Sequence, residues 1–229
     1  MFRPSLSVMT VTDSDVTGAD YISPSRLSLQ PRAHMLSATA MDQNLVLSMY
    51  RQSGALLEGH FRLTSGLHSA GYLQSALVLQ HPKEAEVLGR GLAELLREYA
   101  PTVVLSPALG GLIIGHEVAR GLGVRAIFAE RVDGTLALRR GFVLAPTDRV
   151  VVIEDVVTTA GSTRETIAVA EAAGATVVAA GSMVDRSGGH TNLVVPFRAL
   201  VTLSLATYDP AVCPLCAAGE PVVKPGSRT

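Results

Sequence analysis

The sequence predicts an α/β domain, a mainly parallel central sheet with helices on its faces. Three observations point there. From Thr102 to Leu205 short apolar runs alternate with amphipathic stretches in the order β-α-β-β-α-β. The 229 residues are 48% hydrophobic but only 4% aromatic, with no Trp. The core must therefore be built from Ala, Val, Leu and Ile, which suits buried parallel strands under helices. Only 17% of residues are charged, so the body of the chain folds.

Taken in order, residues 1 to about 40 are rich in Ser, Thr, Asp and Pro without a sustained period, and read as a poorly ordered tail. Met35 and Met41 stand just before the first helix, and one of them is a candidate start. A single domain is expected over 41–229, with a small N-terminal hood from about 41 to 80, a core over 81–205 and a C-terminal tail over 206–229. Asp42 suits an N-cap for a helix to about Ser53. Phe61 to Leu79 carries short β-like pieces broken by Ser65-Gly66 and Gly71. A helix over Pro82–Tyr99 starts on a first-turn proline and has a stripe of Ala85, Leu88, Leu92, Leu95, Leu96 and Tyr99. Strands are expected over Thr102–Ser106, Val124–Ala129, Val150–Glu154, Thr176–Val184 and near Ala199–Leu205. Helices are expected over Leu112–Leu122 and Ser162–Ala173, and the polar, Arg-rich stretch Glu130 to Gly141 reads as a loop. In such sheets ligands bind at the C-terminal strand ends, here after Ser106, Glu154 and Val184.

The net charge of −1 argues against a nucleic-acid binder. No apolar run approaches the length of a membrane span and no secretory h-region is expected, so a cytoplasmic protein is. Of 19 basic residues 17 are Arg, leaving only Lys83 and Lys224 for any step that needs a lysine.

The most informative segment is Val150-Val-Val-Ile-Glu154-Asp155-Val-Val-Thr158-Thr159-Ala160-Gly161-Ser162. An apolar strand delivers two acids, then a small hydroxyl-rich turn opens into a helix. The helix N-terminus offers free N–H groups and a positive dipole end, a seat for phosphate. Glu154 and Asp155 suit ribose hydroxyls or a Mg²⁺ shell. A plain helix cap explains Ser162 or Thr159 alone, but not the whole string. It is not a Walker A loop.

This string resembles the 5-phosphoribosyl-1-diphosphate (PRPP) signature of type I phosphoribosyltransferases. The resemblance implies that fold. Glu154 and Asp155 would then hold the ribose hydroxyls, and Thr158, Thr159, Ala160, Gly161 and Ser162 the 5′-phosphate. Further matches are similar to the orotate phosphoribosyltransferases within that family. Leu57-Glu-Gly-His-Phe61-Arg-Leu-Thr64-Ser65-Gly66-Leu-His68-Ser69, followed by Tyr72-Leu73-Gln74, resembles their hood. Ser106-Pro-Ala108-Leu109-Gly110-Gly111 stands where they bind pyrophosphate. Asp185-Arg186 matches the Asp-Arg whose arginine engages orotate. Glu130-Arg131 and Leu138-Arg139-Arg140-Gly141-Phe142 match the branch in which these motifs bracket a short loop.

The resemblance implies transfer of the phosphoribosyl group from PRPP to orotate with Mg²⁺, held mainly by PRPP and water near Asp155. Arg131 and Asp155 would be catalytic. Ala108, Leu109, Gly110, Arg131, Arg139 and Arg140 would bind the diphosphate, and Thr64, Tyr72, Leu73, Thr158 and Arg186 the base. A homodimer with shared active sites is also implied. Each motif has a plainer reading: a turn at Ser65-Gly66 or Gly110-Gly111, solvated arginines, an Arg186–Asp185 ion pair. Other readings of the whole are a purine phosphoribosyltransferase and a non-catalytic PRPP-sensing regulator. The lysines usual in the family are missing, with Gly110 and Thr64 at two of their positions, and Arg is a poor general acid. His68 is a candidate donor or orienter, or simply a core or surface histidine. Cys213-Pro-Leu-Cys216 reads as half of a zinc knuckle, as a site shared between two subunits, or as a turn with two free thiols. No histidine lies close to it in sequence, His190 being the nearest.

Overall fold

The structure is a computed structural model that describes residues 41–63 and 65–225. The expected tail, Thr64 and residues 226–229 lie outside the described residues. Helix α1 (Gln43–Gln52) begins as its capping residue suggests, the Asp42 carboxylate accepting the Asn44 N–H at 2.9 Å. Strands β1 (Leu56–Arg62) and β2 (His68–Leu73) form an antiparallel hairpin, followed by the short helix α2 (Ala76–Leu79). Gly71 does not break the strand. It lies inside β2, where a Cβ would stand 3.1 Å from the Leu205 side chain packed across it.

Helix α3 (Pro82–Leu96) ends in a 3-10 turn, and its expected stripe is buried at Ala85, Leu88, Leu92 and Leu96. Then come β3 (Val103–Pro107), α4 (Gly111–Leu122) and β4 (Arg125–Val132). The stretch expected as a loop is instead a β-hairpin, β4 with β5 (Thr135–Leu138). Its turn is Asp133-Gly134, both at positive φ (50° and 86°), the conformation that matches strand twist, and Leu136 on its inner face is buried. β6 (Arg149–Val157), α5 (Gly161–Ala172), β7 (Thr176–Asp185) and β8 (Phe197–Thr202) complete the core.

The main sheet has the order β5-β4-β3-β6-β7-β8, parallel except for the edge strand β5. Alternation along β6 feeds two apolar layers. Val151 and Ile153 join Leu88, Leu92, Ile114 and Met183, while Val150 and Val152 join Leu105, Ile127 and Ile167. Each such side chain withdrawn from water contributes about 1.5–3 kcal/mol. Helices α3 and α4 meet closely because Gly89 faces Glu117, where a Cβ would lie 2.8 Å from the backbone carbonyl carbon.

A second, antiparallel sheet has the order β1-β2-β9, where β9 is Thr207–Tyr208. The chain continues through a 3-10 turn (Pro210–Val212) and α6 (Pro214–Ala217) and returns along β1. There Arg62 N–H donates to the Val223 carbonyl at 2.9 Å and Val223 N–H to the His60 carbonyl at 2.8 Å. Residues 207–223 are thus bonded into the hood.

Candidate active site

Strands β3 and β6 are neighbours, but the chain leaves them in opposite directions, to β4 on one side and β7 on the other. Such a switch point opens a crevice beyond the strand ends. Its two lips are residues 107–111 and 158–161.

The strand bearing the acids runs further than Glu154. Val156 and Val157 continue it, pairing with Val184 and Asp185 of β7, so Glu154 and Asp155 are inside β6 and not at its end. Glu154 is 8% exposed and Asp155 half-buried. Burial, with Asp155 beside it, pushes the Glu154 carboxyl up to about 8. A carboxyl held this way gains from a hydroxyl donor or a cation, and the adjacent oxygens of Glu154 and Asp155 fit a hard divalent ion such as Mg²⁺.

Past Val157, Thr158 and Thr159 are exposed, Ala160 turns through a left-handed φ of 57°, and α5 begins at Gly161. The N–H groups of Gly161, Ser162 and Thr163 have no acceptor within the helix. They border a cavity of about 240 Å³ lined by Glu154, Val156 to Thr163 and Glu165. The string read in the sequence as a phosphate seat is therefore brought together in one concave surface.

On the facing lip, the Ala108–Leu109 peptide is cis, Leu109 is 82% exposed, and a Cβ at Gly110 would lie 2.8 Å from the Asp155 carboxylate. A lysine stem at 110 would have to displace that carboxylate, which accounts for the glycine.

The three hairpin arginines are not equivalent. Arg131 reaches the cavity, its Nη2 2.8 Å from Glu165 and its Nη1 donating to the Gly134 carbonyl. Arg140 is held by both oxygens of Glu130, at 2.8 and 2.7 Å, and lies over the Phe128 ring. That pairing pulls the Glu130 carboxyl down. Arg139 is exposed.

At the end of β7, Arg186 N–H donates to the Val157 carbonyl at 2.7 Å, which seats this residue beside the Thr158–Ser162 turn. Its Nε is buried and has no hydrogen-bond partner among the described residues. Burial pulls the guanidinium down, and Tyr72 acts on it electrostatically in the opposite sense. The alternative of an Arg186–Asp185 ion pair fails, because the Asp185 carboxylate accepts the Ser187 N–H at 2.7 Å and no such pair exists among the described residues. Tyr72 is half-buried, with the Phe61 ring 6.0 Å away. Leu73 lies on the opposite side of β2, in the apolar cluster with Val46 and Tyr50, and is not brought to Tyr72's face. Thr64 lies outside the described residues.

His68 is neither an active-site donor nor a surface group. It is buried, its Nδ1 2.8 Å from His60 Nε2, with Cys213 and Cys216 beside the pair. Sequence reasoning passed over His60. The signal available was the pair of histidines flanking a tight hairpin.

No protein-family model matches the chain. An orotate phosphoribosyltransferase of Heliobacterium modesticaldum is 55% identical over 82% of this chain and 100% of its own length. That of Pelotomaculum thermopropionicum is 50% identical over 82% of this chain and 99% of its own length. Among solved structures, the orotate phosphoribosyltransferase of Aeropyrum pernix is 26% identical, with a TM-score of 0.56 over 69% of this chain and 93% of its own. With half or more of the aligned residues identical along whole relatives, and the type I fold that the switch-point crevice belongs to, the chain is a member of the orotate phosphoribosyltransferase family.

Proposed function

We propose that the crevice between β3 and β6 transfers the 5-phosphoribosyl group of PRPP to N1 of orotate. The bond from ribose C1 to the diphosphate oxygen breaks, pyrophosphate departs with the electron pair, and N1 of deprotonated orotate forms the new C1–N bond. The products are orotidine 5′-monophosphate and pyrophosphate. The observation that carries this reading is Arg186, half-buried beside the Thr158–Ser162 turn, with its Nε buried and unpartnered among the described residues. A base bearing a carboxylate supplies a charged acceptor for it, whereas adenine and hypoxanthine offer only neutral ones.

The remaining roles are part of the same proposal. Thr158 to Ser162 seat the 5′-phosphate on the first turn of α5. Glu154 and Asp155 accept the ribose hydroxyls. Ala108, Leu109 and Gly110 line the diphosphate side, where Arg131, reached by exchange with Glu165, and then Arg139 and Arg140 supply positive charge. None of these arginines donates a proton; they stabilise the charge that develops on the leaving oxygen. Tyr72 and Thr158 border the base, and Leu73 holds β2 from below. Mg²⁺ near Asp155, held mainly by the diphosphate and water, would neutralise charge on the leaving group.

The reading extends to a homodimer in which the β4–β5 hairpin reaches the neighbouring site. Exposed Val132 and Val143, on and beside the hairpin, support it. It also extends to the cytoplasm, where thiols such as Cys213 and Cys216 stay unbridged. No helix among the described residues is long and apolar enough to cross a membrane.

Loss of orotate absorbance with PRPP and Mg²⁺, run beside adenine, hypoxanthine and uracil, tests the reading. Turnover of orotate alone is expected. Tight PRPP binding with no turnover of orotate contradicts it and favours a PRPP-sensing regulator.

A further inference from the structure

Four side chains from three separated stretches converge on one point of the hood. His60 is on β1, His68 on β2, Cys213 at the start of α6 and Cys216 within it. One ligand atom from each lies within 4.8 Å of every other. The shorter separations are 2.8 Å from His60 Nε2 to His68 Nδ1, 3.5 Å from His60 Nε2 to Cys213 Sγ, 3.8 Å from His60 Nε2 to Cys216 Sγ, and 3.3 Å from His68 Nδ1 to Cys216 Sγ. A tetrahedral zinc ion with bonds of about 2.0 Å to nitrogen and 2.3 Å to sulfur sets its ligands roughly 3.3–3.8 Å apart. The constellation is already close to that size.

The surroundings fit as well. His60 Nδ1 lies 2.8 Å from the Glu220 carbonyl oxygen. A carbonyl only accepts, so Nδ1 carries the proton and Nε2 presents its lone pair to the cluster. This is the arrangement of a metal-bound imidazole with an outer partner. Two thiolates and two neutral imidazoles would balance the charge of a divalent cation in a site where three of the four residues are buried. Hydrogen bonds among these atoms need a separate proton on each line between a pair, whereas one cation satisfies all four lone pairs at once.

We infer that His60, His68, Cys213 and Cys216 form a structural zinc site that clips the C-terminal segment onto the hood. The donor set is two nitrogen and two sulfur atoms, which selects zinc over the oxygen-seeking Mg²⁺. All four positions are taken by protein, as in sites that hold structure and not in those that do chemistry. Binding releases one proton from each thiol. The clip reinforces a weak junction, since β9 is two residues long and pairs with β2 only at His68 and Ser69. His68 is four residues from Tyr72 on the same strand, so the clip steadies the wall against which the base is proposed to sit. The site itself stands independently of that reaction.

Metal content of the full chain is the test, after expression with zinc supplied and dialysis against metal-free buffer. About one zinc per chain is expected, released when the thiols are titrated with a mercurial. The C213S/C216S double variant is expected to lose it. Cobalt exchanged into the unaltered chain is expected to give the intense visible absorption of a tetrahedral thiolate site, a readout that needs no variant to fold. A folded chain that holds no zinc and takes up no cobalt overturns the inference. So does full zinc retention in the double serine variant.

Discussion

The crevice and the hood are assembled in opposite ways. The phosphate side of the crevice is one uninterrupted string, Glu154 to Ser162, made by a strand that ends and a helix that begins. Its working parts are backbone N–H groups and short side chains placed by local geometry. The hood is a sheet of two strands joined by a third from the far end of the chain. His60 and Cys213 touch across 153 positions of sequence. What is contiguous is anchored by the core strand β6, paired with β3 at Val150 to Val152 and with β7 as far as Val157. What is closed over a long loop needs a fastening of its own, since the entropy of closure has to be offset by contacts formed only at the end.

Substitutions can break this contrast, and the largest effect is expected in the crevice. Arg131→Ala removes the arginine that reaches the phosphate cavity through Glu165. A fall in kcat of about 10²–10³-fold is expected, the scale of losing one preorganised charge donor. Steady-state rates at saturating substrate measure it. Unchanged kcat would move the charge stabilisation to Arg139 or Arg140. Next is Arg186, at the end of β7 beside the Thr158–Ser162 turn. Arg186→Ala is expected to raise KM for orotate by roughly 10–100-fold, the worth of hydrogen bonds to a charged group, with KM for PRPP little changed. Equal rises for both substrates would separate Arg186 from the base.

A smaller effect concerns pH. The Glu154 carboxyl is raised from 4.5 to about 8 by burial and by Asp155. The unfolded chain loses this proton near 4.5 while the folded chain keeps it, so the folded state loses stability as pH rises through that window up to about 8. Hydroxyl donors from a ribose favour the ionised form, so PRPP binding is expected to tighten as pH rises toward about 8 and then level. Calorimetry across that range checks the slope, and Glu154→Gln should flatten it. The smallest effects compare packing. Gly89→Ala drives a methyl toward Glu117 backbone and is expected to cost roughly 1–3 kcal/mol in thermal unfolding. Gly71→Ala presses on the flexible tip of Leu205, with the Leu57 carbonyl oxygen at an ordinary contact distance of 3.4 Å, and is expected to cost under about 1 kcal/mol, the hood yielding where the core does not.

The same contrast explains what could be read beforehand. Asp42 as a cap, the stripe of α3 and the phosphate string are encoded within a few residues, and periodicity or capping chemistry exposes them. The β4–β5 hairpin was legible too, in Asp133-Gly134 flanked by alternating residues, but the arginines around it suggested a loop. The extra length of β6 was hidden because two acids look like a strand end, whereas Val156 and Val157 carry the pairing on. Arg186 was placed by an Asp-Arg at a strand tip, while its buried, unpartnered Nε is set by tertiary packing that no local pattern encodes. Least legible was the company of Cys213 and Cys216. No spacing rule links them to His60 and His68, because the contact exists only after β9 has joined β2. Leu73, paired with Tyr72 in the reading of the hood, went to the core by the simple alternation of a strand.

The arginine-rich composition now has a structural counterpart. Lys83 stands at the start of α3 and Lys224 close to the end of the described residues, neither of them in the crevice. PRPP use should therefore depend on the acids of β6 and not on a lysine. The most direct measurement is the PRPP saturation curve of Asp155→Asn beside that of Lys83→Ala at saturating orotate. The expected result is a kcat/KM for PRPP reduced by about 10²-fold or more in Asp155→Asn and within about twofold of the parent in Lys83→Ala. Equal losses in the two variants would contradict the placement of the site.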